Sequence, residues 1–125
     1  MNPTFLNERP LNVYVILAEE LPGWQSPASE NGKEILMKHY AWGASLKDQR
    51  VLLMAGPMFP ENKNEHLTGP ITGLIILNVK SREEAEAWAF KDPFHLEGYR
   101  KNSVHLLKIT ASESSLFPIL AGLID

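Results

Sequence analysis

Two segments of the chain are apolar at both odd and even positions, and this feature limits the possible folds more than any other. Residues 12–18 (NVYVILA) and 72–79 (TGLIILNV) are rich in β-branched and aromatic side chains, so both are predicted strands. Successive side chains of a strand point to opposite faces of its sheet, and strands that are apolar on both faces are buried on both. The fold must therefore cover both sides of this sheet.

Two helices are predicted from periodicity and from capping signals. In residues 33–48 one stripe of the helix consists of Ile35, His39, Trp42 and Leu46. The asparagine and glutamate of residues 31–34 resemble a capping box at its start, and the serine and glutamate of residues 81–84 form a second one before another helix. That second helix is expected to end near Lys91. His39 is therefore expected to point toward the sheet.

Two further apolar runs, residues 51–55 and 103–110, complete the pattern as strands. The resulting order β-α-β-β-α-β is the split βαβ or ferredoxin-like topology, so the predicted fold class is α+β with a four-stranded antiparallel sheet. The 125 residues are predicted to form a single domain with its core at about residues 12–110. Residues 1–11 would be an N-terminal extension, and residues 111–125 a C-terminal tail.

The helices of this topology cover one face of the sheet only. A homodimer that packs sheet against sheet, a dimeric α+β barrel, is predicted to bury the other face, because a sheet-sized exposed apolar patch marks an interface. The alternative lies in the apolar tail of residues 116–124, which Pro118 and Gly122 interrupt. This tail would fold back over the open face of its own subunit.

Composition excludes several classes of partner. The net charge of -3 and the isolated pair Arg100 and Lys101 provide no basic surface, so no nucleic acid is predicted to bind. The longest apolar run is far below the roughly 18 residues of a membrane span, so no membrane partner is predicted. Cysteine is absent, which fits a cytoplasmic location. Metal-ligand spacings and phosphate-binding glycine loops are absent as well, so no metal and no cofactor are predicted.

His39 and Asp92 are the candidate catalytic residues. An imidazole titrates near neutral pH and can move a proton once another group fixes its tautomer, although a histidine on such a stripe is more often simply a satisfied, half-buried residue. Asp92, which precedes Pro93, is a suitable N-cap for a short helical turn. Its carboxylate would alternatively orient the imidazole, as the acid of a catalytic triad does. The sequence leaves both interpretations of each residue open.

The chain resembles the YCII-related domain family in the order of its motifs: the helix with His39, the run VLLMAGP of residues 51–57 with its AGP turn, a strand, and the run EEAEAW…DPF with its downstream Gly98. The resemblance extends from the first strand to residue 109 and implies a ferredoxin-like, dimeric α+β barrel. It also implies an active site with a histidine of the first helix and the aspartate of the DP motif, which match His39 and Asp92. Family members include relatives similar to muconolactone isomerases and to a dehydrochlorinase of chlorinated aromatic compounds.

Two main functions are consistent with these features. The first is a small-molecule lyase or isomerase in which His39 moves a proton, Asp92 orients it, and the loop of residues 58–70 closes the pocket. Its substrate-binding candidates are Tyr40, Trp42, Gly56, Pro57 and Phe94, although aromatic residues at such positions are more often part of the core. The second is a non-catalytic dimeric ligand-binding or accessory module. A heme- or oxygen-using relative of the same barrel is a third alternative.

Overall fold

The computed structural model describes residues 4–23, 29–59 and 71–125, without the side chain of Ile71. Its four strands are β1 (Leu11–Glu20), β2 (Leu52–Pro57), β3 (Ile71–Leu77) and β4 (Arg100–Ile109). They form one antiparallel sheet in the order β2-β3-β1-β4. The helices are α1 (Glu30–Asp48), α2 (Arg82–Ala89), α3 (Pro93–Leu96) and α4 (Leu116–Ile124).

The predicted α+β fold with a four-stranded antiparallel sheet is confirmed. With α3 and α4 set aside, the elements follow the predicted order β-α-β-β-α-β. The central strand β1 pairs with β4 over its whole length, from Leu11 opposite Ile109 to Glu20 opposite Arg100. This pairing makes β4 begin three residues earlier than predicted, because the ladder continues past the apolar part of the strand. Most of the predicted loop of residues 58–70 lies outside the described residues.

The helix-covered face of the sheet carries the larger part of the core. Ile16 in β1 lies opposite Val104 in β4 and Ile75 in β3, so the three side chains share this face. The buried cluster around Ile16 consists of Trp42, Leu46, Leu77, Val79, Ala85, Ala89 and Val104. The helical stripe predicted from Ile35, Trp42 and Leu46 is thus buried as expected.

The helix starts confirm one predicted cap and correct the other. Ser81 accepts a hydrogen bond from the backbone N–H of Glu84 at 3.1 Å, as its capping signal predicts. The prediction that α1 is capped at Asn31 is wrong, because Ser29 accepts from the N–H of Gly32 at 3.0 Å. Ser29 occupies the extended position before the helix that capping requires, whereas Asn31 already lies inside the first turn.

The C-terminal tail is a helix, α4, and not an interrupted apolar segment. Pro118 is its third residue, where the backbone nitrogen has no partner within the helix, so proline costs no hydrogen bond there. Leu120 and Ile124 pack against Leu11 and Val13 in a second buried cluster. The tail therefore covers part of the open face of its own sheet. Among the described helices, none is both long enough and apolar enough to traverse a bilayer.

Candidate active site

A cavity of about 440 Å³ lies between α1 and the helix-covered face of the sheet. The helix α1 forms one wall, the edge of β2 and the neighbouring part of β3 form another, and α3 with the start of β4 forms the floor. All seven residues predicted for the site line this cavity: Tyr40, Trp42, Gly56, Pro57, Phe94, His39 and Asp92.

His39 and Asp92 are in direct contact although 53 positions separate them in the sequence. Nδ1 of His39 lies 2.8 Å from Oδ1 of Asp92. An ionised carboxylate only accepts hydrogen bonds, so Nδ1 carries the proton and donates it. In the neutral ring Nε2 then has its lone pair free, and no described residue forms a hydrogen bond with it. The side chain of His39 is 19% exposed, whereas that of Asp92 is 1% exposed.

Asp92 makes both of the contacts that its sequence position suggested. Oδ1 accepts the backbone N–H of Phe94 at 3.1 Å, which makes Asp92 the N-cap of α3. The same oxygen accepts the N–H of His39, and Oδ2 accepts from the side-chain amide of Asn102 at 3.0 Å. Three donors thus surround a carboxylate that is almost inaccessible to water, as a buried charge requires.

Asn102 fixes this carboxylate from the sheet. Its Nδ2 donates both to Oδ2 of Asp92 and to the backbone carbonyl of Ala89, at 3.0 and 2.8 Å. Its own backbone N–H donates to Nδ1 of His95 at 3.0 Å, and the His95 ring stacks on Phe90 with centroids 4.9 Å apart. The sequence interpretation missed Asn102. Its signal was its position, since it lies in phase with the buried Val104 and therefore points to the helix-covered face.

Aromatic rings surround His39 within the cavity. The centroid of its imidazole lies 4.5 Å from that of Phe94, 5.5 Å from that of Trp42 and 6.1 Å from that of Tyr40. Phe94 and Trp42 are buried, and Nε1 of Trp42 donates to the carbonyl of Trp88 at 3.1 Å, which fixes the indole. Tyr40 is largely exposed and lies at the rim. Phe94 and Trp42 therefore form the rigid part of the aromatic wall.

Arg100 lines the cavity and is a second residue that the sequence interpretation missed. Its side chain is buried, and Cζ lies 4.5 Å from the centroid of Phe94 in a cation–π arrangement. Burial lowers the pKa of Arg100, and the nearby carboxylates of Asp92 and Glu20 oppose this shift. Burial likewise raises the pKa of Glu20, the cross-strand partner of Arg100, while the guanidinium lowers it. The sequence signal for Arg100 was its charge, which is opposite in sign to that of Glu20 on the neighbouring strand.

Comparison with known proteins identifies the family. A model of the YCII-related domain matches residues 13–105, which is well over half of the chain. The chain belongs to the YCII-related domain family. The resemblance that the AGP turn and the DPF run indicated is thereby confirmed, and the matched region of this YCII-related domain includes every residue of the predicted site. None of the curated proteins matches the chain.

A solved structure with a similar fold is 5-chloro-2-hydroxyhydroquinone dehydrochlorinase (TftG) from Burkholderia phenoliruptrix AC1100, in complex with 2,5-dihydroxybenzoquinone. The TM-score is 0.56 and the sequence identity 18%, and the match covers 74% of this chain and 90% of the TftG chain. At this identity the likeness shows a shared fold and nothing further.

Proposed function

We propose that this protein is a small-molecule lyase or isomerase in which His39 transfers a proton and Asp92 orients the imidazole. The observation that carries the proposal is the 2.8 Å contact between Nδ1 of His39 and Oδ1 of Asp92 on the wall of a cavity. That contact assigns the Nδ1 proton and leaves Nε2 as the basic nitrogen.

The arrangement suits a general base because it stabilises the charged form that proton transfer creates. When Nε2 removes a proton from a carbon atom of the substrate, the ring becomes an imidazolium that remains hydrogen-bonded to the buried carboxylate. The electron pair of the broken C–H bond forms a double bond in the substrate. In an isomerase the imidazolium returns the proton to another carbon, and in a lyase a leaving group departs with its own bonding pair. General acid–base catalysis of this kind contributes about 10²- to 10⁴-fold in rate.

The fold comparison supports the same class of reaction. TftG is by name a dehydrochlorinase, an enzyme that eliminates hydrogen chloride, and its structure contains a quinone ring compound. The cavity described here has rigid aromatic walls at Trp42 and Phe94 that suit a ring-shaped ligand. Gly56 and Pro57 border it from β2 and are proposed to contact that ligand.

The test is proton transfer by the purified protein. Chloride release from 5-chloro-2-hydroxyhydroquinone and deuterium uptake by a panel of cyclic ketones and lactones are measured in D₂O. We expect the wild-type protein to accelerate at least one of these reactions, and His39→Gln to lower kcat by about 10²- to 10⁴-fold. Asp92→Asn is expected to lower kcat as well, because an amide in place of the carboxylate no longer stabilises the imidazolium.

The matched control for His39 is His105→Gln. His105 is exposed on β4, where it lies opposite Val15 on the face of the sheet that points away from the cavity, so its substitution is expected to leave kcat unchanged in a variant with the same sedimentation mass as the wild type. Equal rates for wild type and His39→Gln would contradict the proposal. Ligand binding without proton transfer to or from any member of the panel would favour the non-catalytic ligand-binding module instead.

We also propose that the protein is a homodimer that packs through the open face of its sheet. This face is defined by the side chains of Val13, Val15 and Leu17 in β1 and by their cross-strand partners. The helix α4 covers the end at Val13 only in part, because Leu107, the partner of Val13 in β4, remains 38% exposed. Ile119 and Leu123 present further apolar surface on α4 itself. A second copy would bury the remaining apolar surface.

A further inference from the structure

We propose that Arg100 recognises the ligand, and that the cavity takes a ring compound with an anionic oxygen, a carboxylate or a phenolate, close to the carbon that His39 deprotonates. This inference rests on the proposed function, because it names the substrate class of the same site. It adds a specificity-determining residue that lies outside the pair of His39 and Asp92.

The first argument is the location of the guanidinium. Arg100 is 8% exposed and nonetheless lines the cavity, so a ligand would meet a charge that the protein largely shields from bulk water. The Phe94 ring packs on one face of the guanidinium, and because the N–H donors lie in the guanidinium plane, a hydrogen bond to a ligand would run along that plane. A guanidinium has five N–H donors and binds carboxylates through two parallel hydrogen bonds.

The second argument is the sign of the charge around the cavity. Of the described residues that line it, Arg100 and Lys47 are cationic and Asp92 is the one acid, although the whole chain has a net charge of -3. Asp92 already accepts three hydrogen bonds, from His39, Phe94 and Asn102. The charged side chains of the lining therefore sum to a positive charge, part of which the carboxylate of Glu20 beside Arg100 offsets, and a low-dielectric wall strengthens the attraction for an anion.

The third argument is the short distance between the two functional groups. The imidazole of His39 and Cζ of Arg100 each lie 4.5 Å from the centroid of Phe94, so at most 9 Å separates them. Hydrogen-bond lengths of about 2.8 Å at each end leave a span of only a few ångströms for the ligand. One six-membered ring with its substituent covers that span. The anionic oxygen and the reacting carbon therefore belong to the same ring or to adjacent atoms.

Binding of simple probes tests the inference without a known substrate. Isothermal titration calorimetry compares benzoate with benzamide, and 4-nitrophenolate with 4-nitroaniline, because each pair has nearly the same shape and differs in charge. We expect at least one anion to bind tenfold or more tightly than its neutral counterpart in the wild-type protein. Arg100→Gln is expected to reduce that preference to near unity, and Arg100→Lys, which keeps the charge and loses the planar fork, to an intermediate value.

Two variants separate this inference from the catalytic proposal. His39→Gln is expected to lose turnover while it keeps the preference for the anion, so the two proposals fail independently. Glu20→Gln removes a carboxylate that competes for Arg100 and is expected to strengthen anion binding several-fold.

A measurement on the wild-type protein keeps the test decisive if Arg100→Gln does not fold. The Nε–H resonance of Arg100 is followed by NMR during titration with benzoate and is expected to shift with the same dissociation constant that calorimetry gives. Two results would overturn the inference. One is equal affinity for the anion and the neutral compound in both pairs. The other is a preference for the anion while the Arg100 resonance does not shift.

Discussion

The carboxylate of Asp92 joins three parts of the fold at one point. It caps α3 through Phe94, accepts the imidazole proton of His39 from α1, and accepts the amide of Asn102 from β4. The cap is a local feature, and the Asp-Pro pair predicts it directly. The contact with His39 depends on how two distant segments pack, so the sequence offered it only as an alternative. The topology makes the contact more plausible, because His39 and Asp92 belong to helical segments on the same face of the sheet.

Among the partners of Asp92, Asn102 is the residue whose substitution should disturb the carboxylate most selectively. Asn102→Leu keeps a similar volume but leaves Oδ2 of Asp92 and the carbonyl of Ala89 without their donor. We expect the free energy of unfolding to fall by about 1–3 kcal/mol, the cost of a buried acceptor left unsatisfied. Urea denaturation measures the loss, and kcat of the same variant reports whether the orientation of His39 changes with it.

The control for this variant is Asn12→Leu. Asn12 is exposed at the start of β1, so the same chemical change there is expected to alter the free energy of unfolding by less than about 0.5 kcal/mol. Equal losses for both variants would mean that the amide of Asn102 has no special role.

At the scale of single elements, α4 shows where pattern analysis was insufficient. Its residues are apolar all around the helix, so no amphipathic stripe identifies a buried face, and Pro118 suggests a break. The helix forms because Pro118 falls in its first turn and because Leu11 and Val13 provide an apolar surface for it. That surface is a tertiary feature, which a scan of the local sequence cannot contain. By contrast, the start of α2 was predicted correctly, because a capping box is complete within four residues.

Leu120 is expected to hold α4 against the sheet. Leu120→Ala removes a buried side chain from the second core cluster and should lower the free energy of unfolding by about 2–5 kcal/mol. Leu96→Ala is the matched control, since Leu96 is largely exposed at the end of α3 and the chemical change is identical. Thermal unfolding of both variants at the same protein concentration measures the difference. A Leu120→Ala protein as stable as Leu96→Ala would show that α4 does not contribute to the folded state.

On the scale of the whole molecule, the two-sided apolar strands predicted that something must cover the open face. The structure assigns part of that task to α4, because Leu120 and Ile124 pack on Leu11 and Val13. Alternation within the strands was enough to identify both faces, since the period of a strand is two. It was not enough to say which part of the chain, or which second copy, lies on the open face, because apolar surface is not directional.

The proposed homodimer predicts a particle of twice the 14.1 kDa chain mass in sedimentation at micromolar concentration. Leu107→Glu places a charge on the open face and is expected to shift the particle to the mass of one chain without unfolding it. Leu106→Glu is the control, because Leu106 is exposed to a similar degree, 44% against 38%, but points to the opposite side of the same strand. A wild-type mass of one chain at these concentrations would contradict the dimer.

The double use of Asp92 also affects how the protein should respond to heat. The helix α3 has only four residues, and a helix of this length depends on its cap and on tertiary contacts. If α3 frays, the carboxylate loses its backbone donor at Phe94 and no longer holds the imidazole in place. The proposed activity is therefore coupled to a local transition, and it should disappear on warming before the sheet melts. In this molecule, loss of function would be an early sign of unfolding, confined to one turn of helix.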